Sequence, residues 1–194
     1  MEKDRTKWNS KYGVPDYIFP FTPSRFLEEN LDLVLRLAPG NRALDIACGE
    51  GRNAIYLARH GFDVTAIDIS EQGLAKGRTR CWREGIRVNF VCADLEQYRL
   101  SEKYDVILNF NFLLRDLVPE AIASLTPGGL LIMETIVDTP NLEGMHTKSF
   151  LLQPGELRRL FAWYPGKILR SDESPTGTPP VARMIFQKSA APMN

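Results

Sequence analysis

Residues 43–54 are Ala-Leu-Asp-Ile-Ala-Cys-Gly-Glu-Gly-Arg-Asn-Ala, and this stretch decides the fold. Its apolar start, residues 43–47, predicts a buried strand, and apolar residues at helical spacing from Asn53 onward predict a helix. Gly49 and Gly51 form the turn between them, because glycine lets the backbone bend sharply and approach a ligand closely. Strand, glycine turn and helix are typical of the first unit of a doubly wound α/β domain, in which ligands bind at the carboxyl ends of the strands.

Length and composition indicate one globular domain without a membrane segment. The chain has 194 residues, 44% of them hydrophobic and 25% charged, and 24 basic residues balance 24 acidic ones, so no overall positive field favours nucleic acid. No apolar run is long enough to span a bilayer, and the charged start resembles no signal peptide. Three unclustered cysteines and two histidines predict free thiols, a cytoplasmic location and no metal site.

A second buried strand, residues 62–68, ends in an acidic residue. Asp68 follows Gly49 by 68 − 49 = 19 residues, close to the roughly 20 residues at which nucleotide-binding folds place an acid for the ribose hydroxyls. The alternative role is to cap the next helix, which Ser70 could provide instead. The spacing therefore favours ribose binding by Asp68.

A third strand, residues 85–92, leads into Ala93-Asp94-Leu95. Asp94 follows this strand and lies at the same edge of the sheet, where it can accept a hydrogen bond from the exocyclic amine of adenine. Ile69 and Leu95 could contact the two faces of the ring. One carboxylate for ribose and another for adenine predict a nucleoside pocket.

The second half of the chain continues the α/β pattern. A fourth strand, residues 103–110, ends in Asn109-Phe110-Asn111-Phe112, which lacks the prolines of the Asn-Pro-Pro-Tyr motif used to methylate base amines. Arg115 follows as a candidate to orient an anionic substrate or a cofactor carboxylate, or to cap a surface helix. A Pro-Gly-Gly turn at 127–129 precedes a fifth strand, and residues 167–171 and 181–187 predict two closing strands.

Three further segments leave alternatives open. Residues 1–23 are rich in aromatic residues and proline and predict no long helix; they form either a lid, with Trp8 and Tyr12 facing the ligand, or an arm packed on the core. The basic face of the helix at 71–84 is either solvated or a nucleic-acid footprint. The loop at 138–150 is a candidate substrate loop, in which His146 is either a general base or a surface residue.

A helix is predicted over residues 25–37, with Ser24 as its N-cap. The last residues, 188–194, predict a disordered tail. The expected organisation is thus an N-terminal aromatic arm or lid at 1–23, one domain at 24–187 and the tail.

Together these motifs resemble the class I S-adenosylmethionine (SAM) methyltransferases, over roughly residues 8–187. The first motif, with Asp45 four residues before Gly49, looks like their cofactor motif, although Gly49-x-Gly51-x-x-Ala54 also fits a loose dinucleotide fingerprint. The chain is most similar to the small tellurite-resistance-like group, whose Trp-Asn-x-x-Tyr start is matched by residues 8–12.

The resemblance implies a Rossmann-like, seven-stranded and mostly parallel sheet with one antiparallel strand near the C-terminus. It implies SAM as cofactor and S-adenosylhomocysteine (SAH) as product. The implied cofactor-binding residues are Asp45, Ala47, Cys48, Gly49, Gly51, Arg52, Asn53, Asp68, Ile69, Asp94, Leu95, Asn109 and Phe110. The implied substrate residues are Trp8, Tyr12, Arg115 and His146.

The predicted reaction is in-line methyl transfer to a small molecule. The sulfonium already activates the methyl group, so the enzyme mostly holds nucleophile, methyl and sulfur in line and excludes water. No strong base is expected, and Tyr12, Arg115 and His146 are the only catalytic candidates. The alternatives are an RNA or protein methyltransferase, a SAM- or nucleotide-binding protein without transfer activity, and an NAD-dependent oxidoreductase. A monomer or a homodimer is expected.

Overall fold

The computed structural model describes residues 2–142 and 148–190, and within them seven strands form one sheet. The strands are β1 (Arg42–Ile46), β2 (Asp63–Asp68), β3 (Asn89–Cys92), β4 (Tyr104–Phe110), β5 (Leu125–Ile136), β6 (Gly166–Ser174) and β7 (Val181–Lys188). Their order is β3-β2-β1-β4-β5-β7-β6. Strand β7 is antiparallel to both of its neighbours, and the pairs among the first five strands are parallel. The predicted fold class is confirmed.

Helices cover both faces of the sheet, as a doubly wound fold requires. They are α1 (Glu2–Tyr12), α2 (Arg25–Glu28), α3 (Leu31–Leu37), α4 (Arg52–Arg59), α5 (Glu71–Glu84), α6 (Leu117–Ser124) and α7 (Glu156–Phe161). Helices α2 to α5 enclose one core with Leu108 and Ile132, while α6 and α7 enclose the other with Ile107 and Leu131. In the described part of the chain no helix combines the length and apolarity that crossing a membrane requires.

The prediction that residues 1–23 form no long helix is wrong, because Glu2–Tyr12 is α-helical. The prolines of this region, Pro15, Pro20 and Pro23, all follow the helix and therefore do not interrupt it. Acidic residues in the first turn and Lys11 in the last suit the helix dipole. The helix lacks an apolar stripe of its own and packs against α5, so tertiary contact rather than periodicity stabilises it.

The single helix predicted over 25–37 is instead two helices, α2 and α3. The Asn30 side-chain amide donates to the carbonyl of Phe26 at 2.7 Å, and this local bond competes with a continuous helix. Ser24 precedes α2 but makes no side-chain capping bond. Its hydroxyl donates to Glu134 at 3.1 Å instead, so Ser24 stands at the predicted N-cap position but caps the helix only through its carbonyl, which accepts from the Glu28 amide.

Candidate functional site

A cavity of about 1150 Å³ opens at the carboxyl ends of β1, β2, β4 and β5. Most of the predicted cofactor residues line it, namely Asp45, Ala47, Cys48, Arg52, Asn53, Asp68, Ile69, Asp94, Leu95 and Phe110. Gly49 and Gly51 form the adjoining turn. Asn109 does not line the cavity; it is buried, and its side-chain oxygen has no hydrogen-bond partner among the described residues.

The glycine turn is held in a conformation that other residues adopt only with strain. Gly49 and Gly51 have φ angles of 57° and 77°, in the left-handed region. A Cβ at Gly51 would lie 2.8 Å from the ring of Phe90, and one at Gly49 would lie 2.5 Å from the hydroxyl of Tyr12. Close packing and left-handed backbone therefore both require glycine here.

Asp68 joins the end of β2 to the glycine turn. One carboxylate oxygen accepts from the Gly49 amide at 2.7 Å and the other accepts from the Ser70 amide at 2.8 Å. Each oxygen can accept a further bond, and the side chain lines the cavity. Burial raises the pKa of Asp68. Ser70 caps α5 by accepting from the Gly73 amide, so the alternative capping role does not require Asp68.

Asp45 lies under the turn and accepts from the Ala54 amide at 3.0 Å, which fixes the first turn of α4. Burial raises the pKa of Asp45 to about 7. The carboxyl group therefore changes charge near neutrality at the floor of the cavity.

Arg52 carries cationic donors into the same cavity. Its guanidinium lies 4.8 Å from the ring centre of Phe19, and none of the residues in 2–142 and 148–190 forms a hydrogen bond or an ion pair with it. Burial lowers the pKa of Arg52, and the charges of Asp45 and Glu134 oppose this shift. The site thus offers a positively charged group with unused donors.

Helix α1 brings Trp8, Asn9 and Tyr12 to the glycine turn. The Asn9 side-chain oxygen accepts from the Ser70 hydroxyl at 2.8 Å and from the Gln72 amide at 3.3 Å. Tyr12 is buried, and burial raises the pKa of its hydroxyl well above the usual range. Trp8 stacks on it with ring centres 5.7 Å apart. Both aromatic residues line the cavity, with Tyr12 at the cofactor turn.

Charged side chains of the glycine turn and of α5 hold the segment that follows α1. Buried Glu50 accepts from the amides of Ile18 and Phe19 at 3.0 and 3.2 Å and pairs with Lys76 at 3.0 Å. Arg80 donates to the carbonyl of Phe21 at 2.9 Å. From here on, the arm means residues 16–21 alone and no longer the whole of residues 1–23.

These contacts correct the prediction for the basic face of α5. Lys76 and Arg80 hold the arm instead of facing solvent, and Arg78 pairs with Glu71 on the surface. Arg83 is exposed. The positive charges on this helix are therefore largely used within the molecule.

Beyond Phe110, a charged pair that the sequence analysis missed lines the cavity. Glu134 on β5 accepts from Arg183 on β7 at 2.6 Å and from the Ser24 hydroxyl at 3.1 Å. The two strands pair antiparallel with Glu134 directly opposite Arg183. No local motif reveals this pair, because the two residues meet only through the register of the closing strand.

Two predicted substrate residues remain, Arg115 and His146. Arg115 does not line the cavity; it forms a two-pronged ion pair with Glu156 at 2.6 and 2.9 Å and donates to the carbonyls of Ser149 and Leu151. These bonds anchor the chain before α7. His146 lies outside the described residues. Among those that are described, no cluster of His, Cys, Asp and Glu could hold a metal ion.

Comparison with known proteins finds a family model and curated relatives that match part of the chain. Residues 43–129 match a family model described as "Methyltransferase domain". The chain is 33% identical over 128 residues to "Hemagglutinin 1" of Eikenella corrodens, covering 62% of this chain and 43% of that one. It is 28% identical over 127 residues to the "Probable S-adenosyl-L-methionine-dependent methyltransferase TehB" of Haemophilus influenzae, covering 62% and 44%. The chain thus spans less than half the length of these curated relatives.

Two solved structures share the fold over nearly the whole chain. TehB from Haemophilus influenzae has a TM-score of 0.69 at 22% identity and covers 96% of this chain and 67% of that one. The magnesium protoporphyrin IX methyltransferase of Synechocystis with bound SAH has a TM-score of 0.72 at 18% identity and covers 97% and 99%. At these identities the likeness establishes the fold alone.

Proposed function

We propose that this chain is a SAM-dependent methyltransferase. The proposal starts from residues 43–129, which match a methyltransferase-domain model, and from the class I fold and the resemblance to the tellurite-resistance-like group. The observation that carries the proposal is the convergence on one cavity of Asp68, Asp94 and the unused donors of Arg52, beside the glycine turn. A nucleoside with a zwitterionic amino-acid tail presents the groups that these side chains bind.

Each predicted contact has a defined role in this proposal. Asp68 accepts from the ribose hydroxyls, and Asp94 accepts from the adenine amine. Ile69 and Leu95 pack against the adenine ring. Arg52 binds the carboxylate of the methionyl group, which passes close to the glycine turn because no Cβ intervenes.

The acceptor is proposed to be a small molecule. Ligand cavities usually measure about 300–1000 Å³, whereas this one measures about 1150 Å³, which leaves room for a second molecule beside the cofactor. Transfer then depends on holding the acceptor in line with the methyl group. Tyr12 is not proposed as a base, because burial keeps its hydroxyl protonated.

The arm and α1 are proposed to act as a lid over the cofactor. Tyr12 contacts the turn, and Tyr17, Phe19 and Phe21 line the cavity. Hydrogen bonds from the arm amides to Glu50, which itself belongs to the glycine turn, couple lid closure to the cofactor loop. Exclusion of water follows from closure.

Isothermal titration with SAH and, separately, with NAD tests the proposal. We expect SAH to bind and NAD to bind weakly or not at all. Asp94→Asn should weaken SAH binding by roughly 10- to 100-fold, since a carboxylate that accepts a hydrogen bond contributes about 1.5–3 kcal/mol. Asp63→Asn, at the exposed start of β2, is the matched control and should bind like wild type. Tight binding of NAD alone would contradict the proposal.

A further inference from the structure

We propose that the acceptor half of the cavity contains an anion-binding subsite on Arg183, and that the methyl acceptor is a carboxylate with an apolar body. The acceptor role rests on the proposed function, whereas the subsite itself rests on the geometry around Arg183. The acceptor half is the part of the cavity lined by Glu134, Ile136, Val181 and Arg183, and the cofactor half is the part beside the glycine turn, lined by Asp68 and Asp94.

The strand register places three charged residues, Glu134, Arg183 and Asp172, in one row across the sheet, next to Phe110. Phe110 lies opposite Glu134, Glu134 opposite Arg183, and Arg183 opposite Asp172. Residues directly opposite in neighbouring strands project from the same face. The row therefore runs from the edge of the cofactor half to the outer strand β6, with Arg183 as its cation.

Arg183 has donors that the protein does not use. Its Nε atom donates to Glu134 at 2.6 Å, and its Nη1 atom forms a longer ion pair with the exposed Asp172 at 3.8 Å, without a hydrogen bond. Within residues 2–142 and 148–190, no acceptor bonds to either Nη atom. Because a guanidinium has five N–H donors in a planar fork, four remain for a ligand or water.

The environment of Arg183 makes it more than a surface cation. Its side chain is 32% exposed, and its guanidinium lies 5.8 Å from the ring centre of Phe26. Glu134 is itself fixed by the Ser24 hydroxyl. A planar group held by an ion pair and an aromatic ring is preorganised, so less side-chain entropy is lost when it binds a carboxylate.

Apolar residues flank the charged row on both sides. The row toward the core consists of Ile132 and Ile185, which are buried. The row on the other side consists of Ile136 and Val181, and Leu151 and Pro179 also line the cavity. A ligand that reaches Arg183 therefore contacts hydrocarbon, which selects a carboxylate with an apolar body over a small inorganic anion.

The test is isothermal titration with 4-phenylbutyrate and with its neutral amide, 4-phenylbutyramide, each with and without saturating SAH. Wild type should bind the carboxylate roughly 10- to 100-fold more tightly than the amide, as expected for charge-assisted hydrogen bonds. Arg183→Gln should reduce this ratio to about one, and Arg183→Lys should leave an intermediate ratio because the fork is lost. Arg170→Gln, on the exposed face of β6, is the matched control.

Each outcome decides the proposal. Equal affinity for the two probes in wild type, or no binding of either, overturns it without any variant. A carboxylate preference that persists in Arg183→Gln also overturns it, because another cation then supplies the site. Thermal denaturation checks that the variants are folded. Failure of SAH to bind counts against the proposed function alone, since the ratio measured without SAH still tests Arg183.

Discussion

The two halves of the cavity are built in different ways. In the cofactor half, the contacts that define the site join residues close in sequence, such as Asp68 to Gly49, 19 apart, and Asp45 to Ala54, 9 apart. In the acceptor half, Glu134 bonds to Arg183, 49 residues away, and to Ser24, 110 residues away. The cofactor half is thus a local motif, and the acceptor half is a product of the whole fold.

This difference implies that the halves can be altered separately. Substitutions in the glycine turn should remove cofactor binding, whereas substitutions on β5 and β7 should change only the acceptor.

The first prediction concerns Gly51→Ala in the cofactor half. A Cβ there meets the Phe90 ring at 2.8 Å with φ at 77°, so overpacking and left-handed strain should together cost about 2–5 kcal/mol of unfolding free energy. SAH binding should fall by more than about tenfold. The control is Gly61→Ala, whose φ is 88° but whose Cβ would meet nothing within 4 Å; strain alone should cost about 1–2 kcal/mol. Equal losses in urea denaturation would contradict the packing argument.

The second prediction concerns the pH dependence of stability. Asp45 has a folded-state pKa of about 7 against 3.8 for the free group, so the native state binds more protons between these values. Its contribution is fully present below pH 3.8 and is lost as pH rises through about 7. Asp45→Asn should remove this decline, with a gain on the order of 3 kcal/mol above pH 7.

Urea denaturation across this pH range measures the effect, and Asp63→Asn, an exposed aspartate on the next strand, is the control. An unchanged slope in Asp45→Asn would show that another group titrates.

The third prediction separates Arg115 from Arg183. Arg115→Met removes the ion pair with Glu156 and two bonds to carbonyls, so the unfolding free energy should fall by about 1–3 kcal/mol. Because Arg115 does not line the cavity, binding of SAH and of 4-phenylbutyrate should remain as in wild type. Loss of carboxylate binding in the folded variant would return the substrate role to Arg115.

The smallest expected effect concerns the arm. Lys76→Met removes the partner of Glu50 and the bond to the carbonyl of Asp16. The free energy that holds the arm in its docked position should fall by about 1 kcal/mol. Hydrogen exchange at the amides of Ile18 and Phe19 should accelerate, and SAH should dissociate faster. Arg83→Met, at an exposed position on the same helix, should change neither rate.

The features that could be predicted from the sequence lie mostly in the cofactor half, and those that could not lie mostly in the acceptor half. The glycine turn and the placement of Asp68, Ile69, Asp94 and Leu95 around one cavity follow from local spacing, because parallel strands bring their carboxyl ends to one edge. The seven-stranded sheet with its one antiparallel strand was implied by the family resemblance instead. Periodicity missed the helix at Glu2–Tyr12, whose stability comes from docking on α5.

The contacts of the acceptor half could not be predicted from local sequence patterns, for a physical reason. Arg183 and Glu134 meet only because of the antiparallel register of β5 and β7, and a shift of one residue would turn Arg183 to the other face of the sheet. The sequence analysis offered Arg115, the arginine next to the fourth strand, to orient an anionic substrate or a cofactor carboxylate, or to cap a surface helix. The donors of Arg115 are instead used by the Glu156 carboxylate and by nearby backbone carbonyls.

The most direct test of the account is one titration with SAH on wild type, Asp68→Ala and Arg183→Gln, each verified as folded by thermal denaturation. SAH should bind wild type and Arg183→Gln alike and fail to bind Asp68→Ala, because only Asp68 belongs to the cofactor half. Equal binding to Asp68→Ala, or no binding to wild type, would contradict the central claim that this cavity holds SAM beside the glycine turn.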